Sequence, residues 1–390
     1  MTPAELSRTV LRAVRRAVDD GELDAAVCAA GEERIVVERP RAGGQGDYAT
    51  NVALQLARPA GRPPRQVAEI LSRRLGESPG IDGVVVTGPG FLNFRLSESA
   101  SASASGALVA EILSAGERYG FVEAGAEAAS SGQQVVQLHA PDEVRALVVM
   151  DSVARLLRSQ GVVVRTSCAG RPRPEWGDVL GIHVDTVGSP DGGIGVRPVP
   201  APADPLPLGR DAARWALLHP AGHDRPRIGD DEHEHLAQRE SNPLFRVRYA
   251  HARTHALTRN AADLGFTGDP TGTGDPTGTG DPTGTGDPTG TGDPTGRTED
   301  VPGHEDLVAA LADHPRILRA AAAQHAPDRL ARHLVGVADT FMASLCPAVL
   351  PQGEEKPSAA HRSRLALAEA VGTVLAGGLT LLGIDAPEHL

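Results

Sequence analysis

Lysine is almost missing from this chain. Of 38 basic residues in 390, only Lys356 is a lysine, and the rest are arginines. Chemistry that needs a compact, mobile ammonium in the middle of the chain therefore has none to draw on, because a guanidinium is a rigid planar fork and not a point donor. Aromatic residues are also scarce at 3%, so the cores must be built from Leu, Val and Ala. The three cysteines, Cys28, Cys168 and Cys346, are far apart and odd in number. That excludes a disulfide framework and a CxxC metal site, and it fits a reducing cytoplasm. The first eighteen residues lack the uninterrupted apolar stretch of a secretion signal. Residues 365–384 are long and apolar enough to raise a membrane question, but Glu369 among them favours a buried helix of a bundle. A net charge of −12 leaves no overall basic surface, so contact with a polyanion depends on where the arginines cluster.

What is present divides into two or three domains. Residues 4–18 place Leu6, Val10, Val14 and Val18 four apart with arginines between them, an amphipathic helix. Asp47 or Thr50 is placed to cap a helix over 47–58, Gly46 to make a tight turn, and 64–75 form a third helix. Residues 34–38, 83–87 and 91–96 read as strands, the last two around a Gly-Pro-Gly turn. This gives a compact α+β domain over 1–115. A Ser/Ala/Gly-rich linker at 122–133 follows. Then come a strand at 134–138, a helix at 143–160 and a strand at 161–166, one βαβ unit of a parallel sheet. One more strand is expected at 179–184, too little for a full doubly wound sheet. Helices dominate from 209 onward, near 209–218, 242–262, 305–325, 327–346 and 359–382. They are interrupted at 268–297 by repeats of GDPTGT. A six-residue period with Pro and two Gly cannot sustain a helix, so this insert reads as a flexible loop.

Fourteen histidines include pairs at His219/His223, His251/His255 and His233/His235. Pro220 breaks the first pair's helix and no carboxylate follows its first histidine as in a zinc protease. They read as solvated or capping groups, and no metal site is expected. Strict alternation over 91–96 sends Leu92, Phe94 and Leu96 to a core and exposes Phe91, Asn93 and Arg95. An aromatic plate, an amide and a cation are the groups that read single-stranded RNA. Packing of Phe91 on a helix and bracing of a turn by Asn93 are the alternatives. In 242–262, Asn242 caps and Pro243 starts a helix that carries Arg246, Arg248, Arg253 and Arg259 with no acidic residue. Such a helix suits a phosphate chain, with a solvated basic face as the alternative for Arg246 and Arg259.

GDYATNVALQL (46–56), GPGFLNFRL (88–96) and NPLFRVRYAHAR (242–253) resemble the opening and closing modules of class I arginyl-tRNA synthetases, and LLGIDAPEHL resembles the family's C-terminus. The resemblance implies a multidomain fold. It has an α+β N-terminal tRNA-elbow-binding module (1–115), a truncated α/β, Rossmann-like remnant at the centre (134–225), and an all-α anticodon-binding helical bundle (230–390). Phe91, Asn93 and Arg95 would then meet the tRNA elbow. Tyr249, Arg253, Arg246, His251 and Arg259 would face the anticodon loop. Between these modules the family carries a His-x-Gly-His turn and a lysine-bearing loop that handle ATP and Mg. Here MDSVARLL (150–157) resembles the helix after that turn. His139, Glu143 and Arg145 stand where the turn should be, and RPVPAPADPLPL before GRDAARW (209–215) contains no lysine. The expectation is a non-catalytic tRNA-binding relative with no catalytic residues and no ATP or Mg as cofactor. Its partners would be tRNA, tRNA-Arg first, and an authentic aminoacyl-tRNA synthetase, with neither DNA nor membrane. An arginine–tRNA ligase completed by a partner or an altered site, and a protein-interaction scaffold without RNA affinity, are the two alternatives.

Overall fold

The computed structural model describes residues 3–24, 27, 37–38, 46–122, 135–190, 192–229, 232–271 and 303–390. The expected linker at 122–133 after Val122, all but the first few repeat residues, Cys28 and the start of the strand expected at 34–38 lie outside the described residues. The chain divides into two compact units, Met1–Leu108 and Val109–Leu390.

In the first unit, helix α1 (Pro3–Asp19) buries Leu6, Val10 and Val14 along one stripe, as its four-residue spacing dictates. Strands β1 (Val37–Glu38) and β2 (Tyr48–Thr50) precede the short helix α2 (Val52–Leu56) and helix α3 (Pro64–Gly76). Strands β3 (Ile81–Thr87) and β4 (Phe91–Leu96) complete an antiparallel sheet in the order β1-β2-β4-β3. Leu92, Phe94 and Leu96 join the core with Val67, Leu71 and Leu75 of α3. The segment expected to cap a helix over 47–58 is instead strand, then helix. The Asp47 carboxylate accepts the Leu96 N–H at 2.7 Å, which ties it to β4, and Thr50 Oγ1 accepts the Val52 N–H. Gly46 is required for this clamp. It has φ +85°, and a Cβ there would stand 2.5 Å from the Phe94 carbonyl oxygen.

The second unit opens with the end of helix α4 (Glu98–Ala115) and holds a parallel sheet. Strand β5 (Val136–Ala140), helix α5 (Val144–Ser159) and strand β6 (Val164–Cys168) form the expected βαβ unit. Where a strand was expected at 179–184, residues 179–180 are the end of helix α6 (Pro174–Leu180), left-handed Gly181 (φ 66°) stops it, and 181–184 run on without regular structure. Two-residue strands β7 (Thr186–Val187) and β8 (Ile194–Gly195) finish a sheet ordered β7-β6-β5-β8.

Helices follow: α7 (Gly209–Leu218), α8 (Glu232–Leu236), α9 (Pro243–Asp263), α10 (His304–Ala323), α11 (Pro327–Thr340) and α12 (Ala359–Leu382). By length and composition α12 could cross a membrane, but 83% of its most apolar window is buried inside the protein. Its glycines set how closely its neighbours approach. A Cβ at Gly372 would lie 2.4 Å from Thr254 Oγ1 of α9, one at Gly377 2.4 Å from the Glu117 carbonyl oxygen, and one at Gly378 2.4 Å from Leu334 of α11. Arg214 of α7 joins sheet and bundle. Buried completely, it donates to the Leu382 and Leu180 carbonyls, to Ser152 Oγ and to the Asp151 carboxylate.

Candidate functional site

In the first unit, β4 lies between β2 and β3, and Asn93 pairs with Ala49 on one side and Val85 on the other. Phe91 and Arg95 are exposed, as alternation predicts. Asn93 is not: it is 6% exposed, and its Nδ2 donates to Thr87 Oγ1 at 2.7 Å and to the Val85 carbonyl at 3.3 Å. The expectation of an exposed trio is thus corrected to an exposed pair. A central strand is flanked by side chains on both sides, and the Asn93 amide braces the hairpin between β3 and β4.

In the second unit, the turn between β5 and α5 holds His139, Glu143 and Arg145. Glu143 is the N-cap of α5, and its carboxylate accepts N–H bonds from Arg145 (3.1 Å), Ala146 (2.8 Å) and Ala201 (3.0 Å). A helix N-terminus carries orphan N–H groups and partial positive charge, which draw anions. Here the chain's own carboxylate takes that place. Arg145 was expected where the family's ATP-handling turn should be, in a degenerate site. It is instead fully buried and donates to five backbone carbonyls: Val199, Leu217, Pro220, Ala221 and Asp224. Burial pushes its pKa down, while Glu143 and Asp224 favour the charged form. His139 is half-buried, with Nδ1 3.0 Å from Ser167 Oγ and Nε2 3.3 Å from Ser189 Oγ.

In the bundle, the Asn242 side chain accepts the Leu244 N–H and donates to the His235 and Ala237 carbonyls, which fixes the start of α9. The helix buries Leu244, Val247, Ala250, Thr254 and Leu257. Phe245, Tyr249 and Arg253, each four apart, share one ridge. Tyr249 is 42% exposed and stacks on Phe245 with ring centroids 5.5 Å apart, and Arg253 is exposed. Phe245 was not singled out by sequence reasoning, although its spacing from Tyr249 was the available signal.

Two expected RNA contacts are corrected. Arg246 pairs with Asp339 at 2.8 Å, so its charge is engaged within the bundle. His251 is 3% exposed and bonds through Nδ1 to the Pro387 carbonyl, holding the C-terminal tail. Arg248 meets Asp211 at 3.4 Å, so the acid-free helix finds its acids on other elements. Arg259 is exposed, with Nη2 3.5 Å from His389 Nδ1. Among the described residues, no group of three or more His, Cys, Asp or Glu could hold a metal ion.

Comparison with known proteins agrees with this layout. Residues 5–96 match the arginyl tRNA synthetase N terminal domain, and residues 247–390 match the DALR anticodon binding domain. The chain is 26% identical over 588 aligned positions to an arginine–tRNA ligase of Frankia alni, and 27% identical over 584 to one of Renibacterium salmoninarum. In both cases the match spans all of each chain. The fold is similar to the Thermus thermophilus arginyl-tRNA synthetase (TM-score 0.58, 14% identity) and to the Plasmodium falciparum enzyme (TM-score 0.55, 10% identity), again with both chains fully covered. With an N-terminal and a C-terminal module matched and relatives aligned from end to end, the chain belongs to the arginyl-tRNA synthetase family.

Proposed function

We infer that this chain is a cytoplasmic, non-catalytic member of the family that binds tRNA through its first unit and the exposed ridge of α9. The observation that carries this reading is the state of Glu143 and Arg145. A triphosphate at the turn after β5 would need the α5 N-terminus free and a cation within reach. The Glu143 carboxylate already accepts the N–H groups there, and Arg145 is committed to five carbonyls. An added anion would face a carboxylate in place of bare N–H donors, a repulsive arrangement. These residues do not fit ATP.

Two further observations support the reading. The alignment with the Frankia ligase covers 588 positions and this chain has 390 residues, so at least 198 positions face no residue here. The chain also lacks any lysine before residue 356 to serve a transferring adenylate. Tyr249 and Arg253 present stacking and phosphate-binding chemistry on one ridge. Phe91 and Arg95 do the same on β4. tRNA-Arg is the first ligand to test, and an authentic aminoacyl-tRNA synthetase is the proposed protein partner.

Filter binding of bulk tRNA across a salt series tests the reading. Affinity that falls steeply with salt is expected if phosphates are gripped, and a flat or undetectable response would overturn it. Arginine-dependent ATP–pyrophosphate exchange by the isolated chain is expected to be absent, and a clear signal would refute the loss of catalysis.

A further inference from the structure

The face of the parallel sheet that carries Leu138, Ala140, Val164 and Cys168 is buried under α5. Parallel sheets are ordinarily covered on both faces. Here alternation turns Gln137 and His139 of β5, Ser167 of β6 and Gly195 of β8 to the opposite face, and the register sets His139 between Ser167 and Gly195. His139 is half-buried and Gly195 exposed, so the middle of this face is open to solvent.

Hydrogen bonds on that face hold the imidazole. The Ser167 hydroxyl donates to the Leu138 carbonyl at 3.1 Å, which leaves its oxygen to accept. It accepts from Gln137 Nε2 at 3.3 Å and from His139 Nδ1 at 3.0 Å. A neutral imidazole protonated at Nδ1 keeps a lone pair on Nε2. That lone pair lies 3.3 Å from Oγ of Ser189, an exposed serine just after β7. A hydroxyl, a base within hydrogen-bond reach and a third group that orients the base are the parts of an activated nucleophile.

Beside the imidazole the sheet is bare. Gly193 and Gly195 have no side chain, and a Cβ at Gly193 would meet His139 Cβ at 3.5 Å and Gln137 Cγ at 3.6 Å. The exposed Arg197 lies over Gly195, its Nε 3.7 Å from where a Cβ would stand. Among the described residues no ion pair engages Arg197, so a cation stands next to the open patch.

The geometry points to a serine esterase site for small esters that carry an anionic group. Ser189 is the nucleophile, His139 the base, Ser167 a positioning residue and Arg197 the anchor for the anion. Ser189 Oγ bonds to the ester carbonyl carbon while its proton passes to His139 Nε2. The carbon–alkoxy bond then breaks, and the departing oxygen takes the proton from the imidazolium. Water attacks the acyl-serine and gives Nε2 a proton, which returns to Ser189 Oγ as the acid leaves. The sum is ester plus water to acid plus alcohol. This hydrolysis needs neither ATP nor RNA, so it stands apart from the aminoacylation that Glu143 and Arg145 deny this chain, and from tRNA binding.

Release of p-nitrophenolate from mono-p-nitrophenyl succinate and from p-nitrophenyl acetate, by the full chain without RNA or ATP, tests the site. Saturable turnover is expected, with the succinate favoured about tenfold or more in kcat/KM. Ser189→Ala should fall to the buffer rate, and His139→Gln should lose about 100-fold. Ser167→Ala should lower kcat about tenfold or more with KM unchanged, and Arg197→Gln should erase the preference for the succinate. Melting curves show that each variant folds. A fluorophosphonate, which phosphonylates an activated serine with loss of fluoride, should label the unaltered chain at Ser189 in peptide mass spectra. Labelling at other residues only, equal turnover by Ser189→Ala, or a rate that never saturates with ester would each overturn the assignment.

Discussion

Arg214 Nη2 lies 2.6 Å from Asp151 Oδ2 with the guanidinium completely buried, so a helix of the parallel-sheet layer and the helix that leads into the bundle share one ion pair. Desolvation pushes the Arg214 pKa down and Asp151 pulls it up again. Removing one partner strands a buried charge. Asp151→Asn is expected to cost about 3–5 kcal/mol, read as a lower urea midpoint with an unchanged slope.

Arg145 calls for the same experiment with a different substitution. Lysine offers three donors at one point and cannot reach five carbonyls spread between residues 199 and 224. Arg145→Lys should destabilise by about 3 kcal/mol through unsatisfied carbonyls. Near-native stability of this variant in denaturant titrations would refute a scaffolding role for Arg145.

The close approach at Gly377 gives a steric prediction. With a Cβ only 2.4 Å from the Glu117 carbonyl oxygen, Gly377→Ala must push α12 from the segment after α4. A loss of about 1–3 kcal/mol is expected. Gly336→Ala on α11, where a Cβ meets nothing within 4 Å, serves as the control and should not destabilise.

Acid sensitivity follows from three buried imidazoles. Burial lowers the pKa of His314 to about 3, with His333 adding to it, and lowers His304 and His333 to about 4. The folded values lie below the unfolded value of 6.5, so the unfolded chain takes up protons first. The full contribution is present above pH 6.5 and declines as pH falls through the window down to about 4 and 3. Melting temperature measured from neutral pH to about pH 5 should drop accordingly. His314→Phe, which preserves the stack on Tyr119 (centroids 5.9 Å), should flatten that dependence.

The proposed RNA surface separates cleanly by residue. Arg253→Ala should weaken tRNA binding and reduce the salt slope by about one. Tyr249→Ala should lose about 1–3 kcal/mol of stacking with little change in slope. Asn93→Ala should lower the stability of the first unit, because its amide is bonded to Val85 and Thr87. In a filter assay at temperatures where both proteins stay folded, its tRNA affinity should match the parent.

Local pattern carried much of the fold. The apolar stripes of α1 and α3, the β3–β4 hairpin and the βαβ unit were legible in residue spacing, because burial imposes periods of 3.6 and 2, and the start of α9 in its Asn-Pro cap. Residues 179–184, expected as a strand, were misjudged: 179–180 end a helix and 181–184 are irregular, because a short apolar run near Gly suits several conformations alike. The site was read less well for a different reason. Nothing near Asn93 in sequence says that β4 is a central strand, and nothing near His251 says that the carbonyl of Pro387 will return to it.

The amino-acid sequence by itself determined the kinds of element, the poverty in lysine and the family modules at the two ends. These depend on composition and on neighbours a few residues apart. Only the tertiary structure decided which charges are free to meet a ligand. Arg145, Arg214, Arg246 and Glu143 have partners 34 to 168 residues away and at 2.6–3.2 Å, apart from Glu143's two contacts in its own cap. Tyr249, Arg253 and Arg259 stay at the surface. A charged side chain's availability is set by whatever folds against it, and periodicity does not encode that.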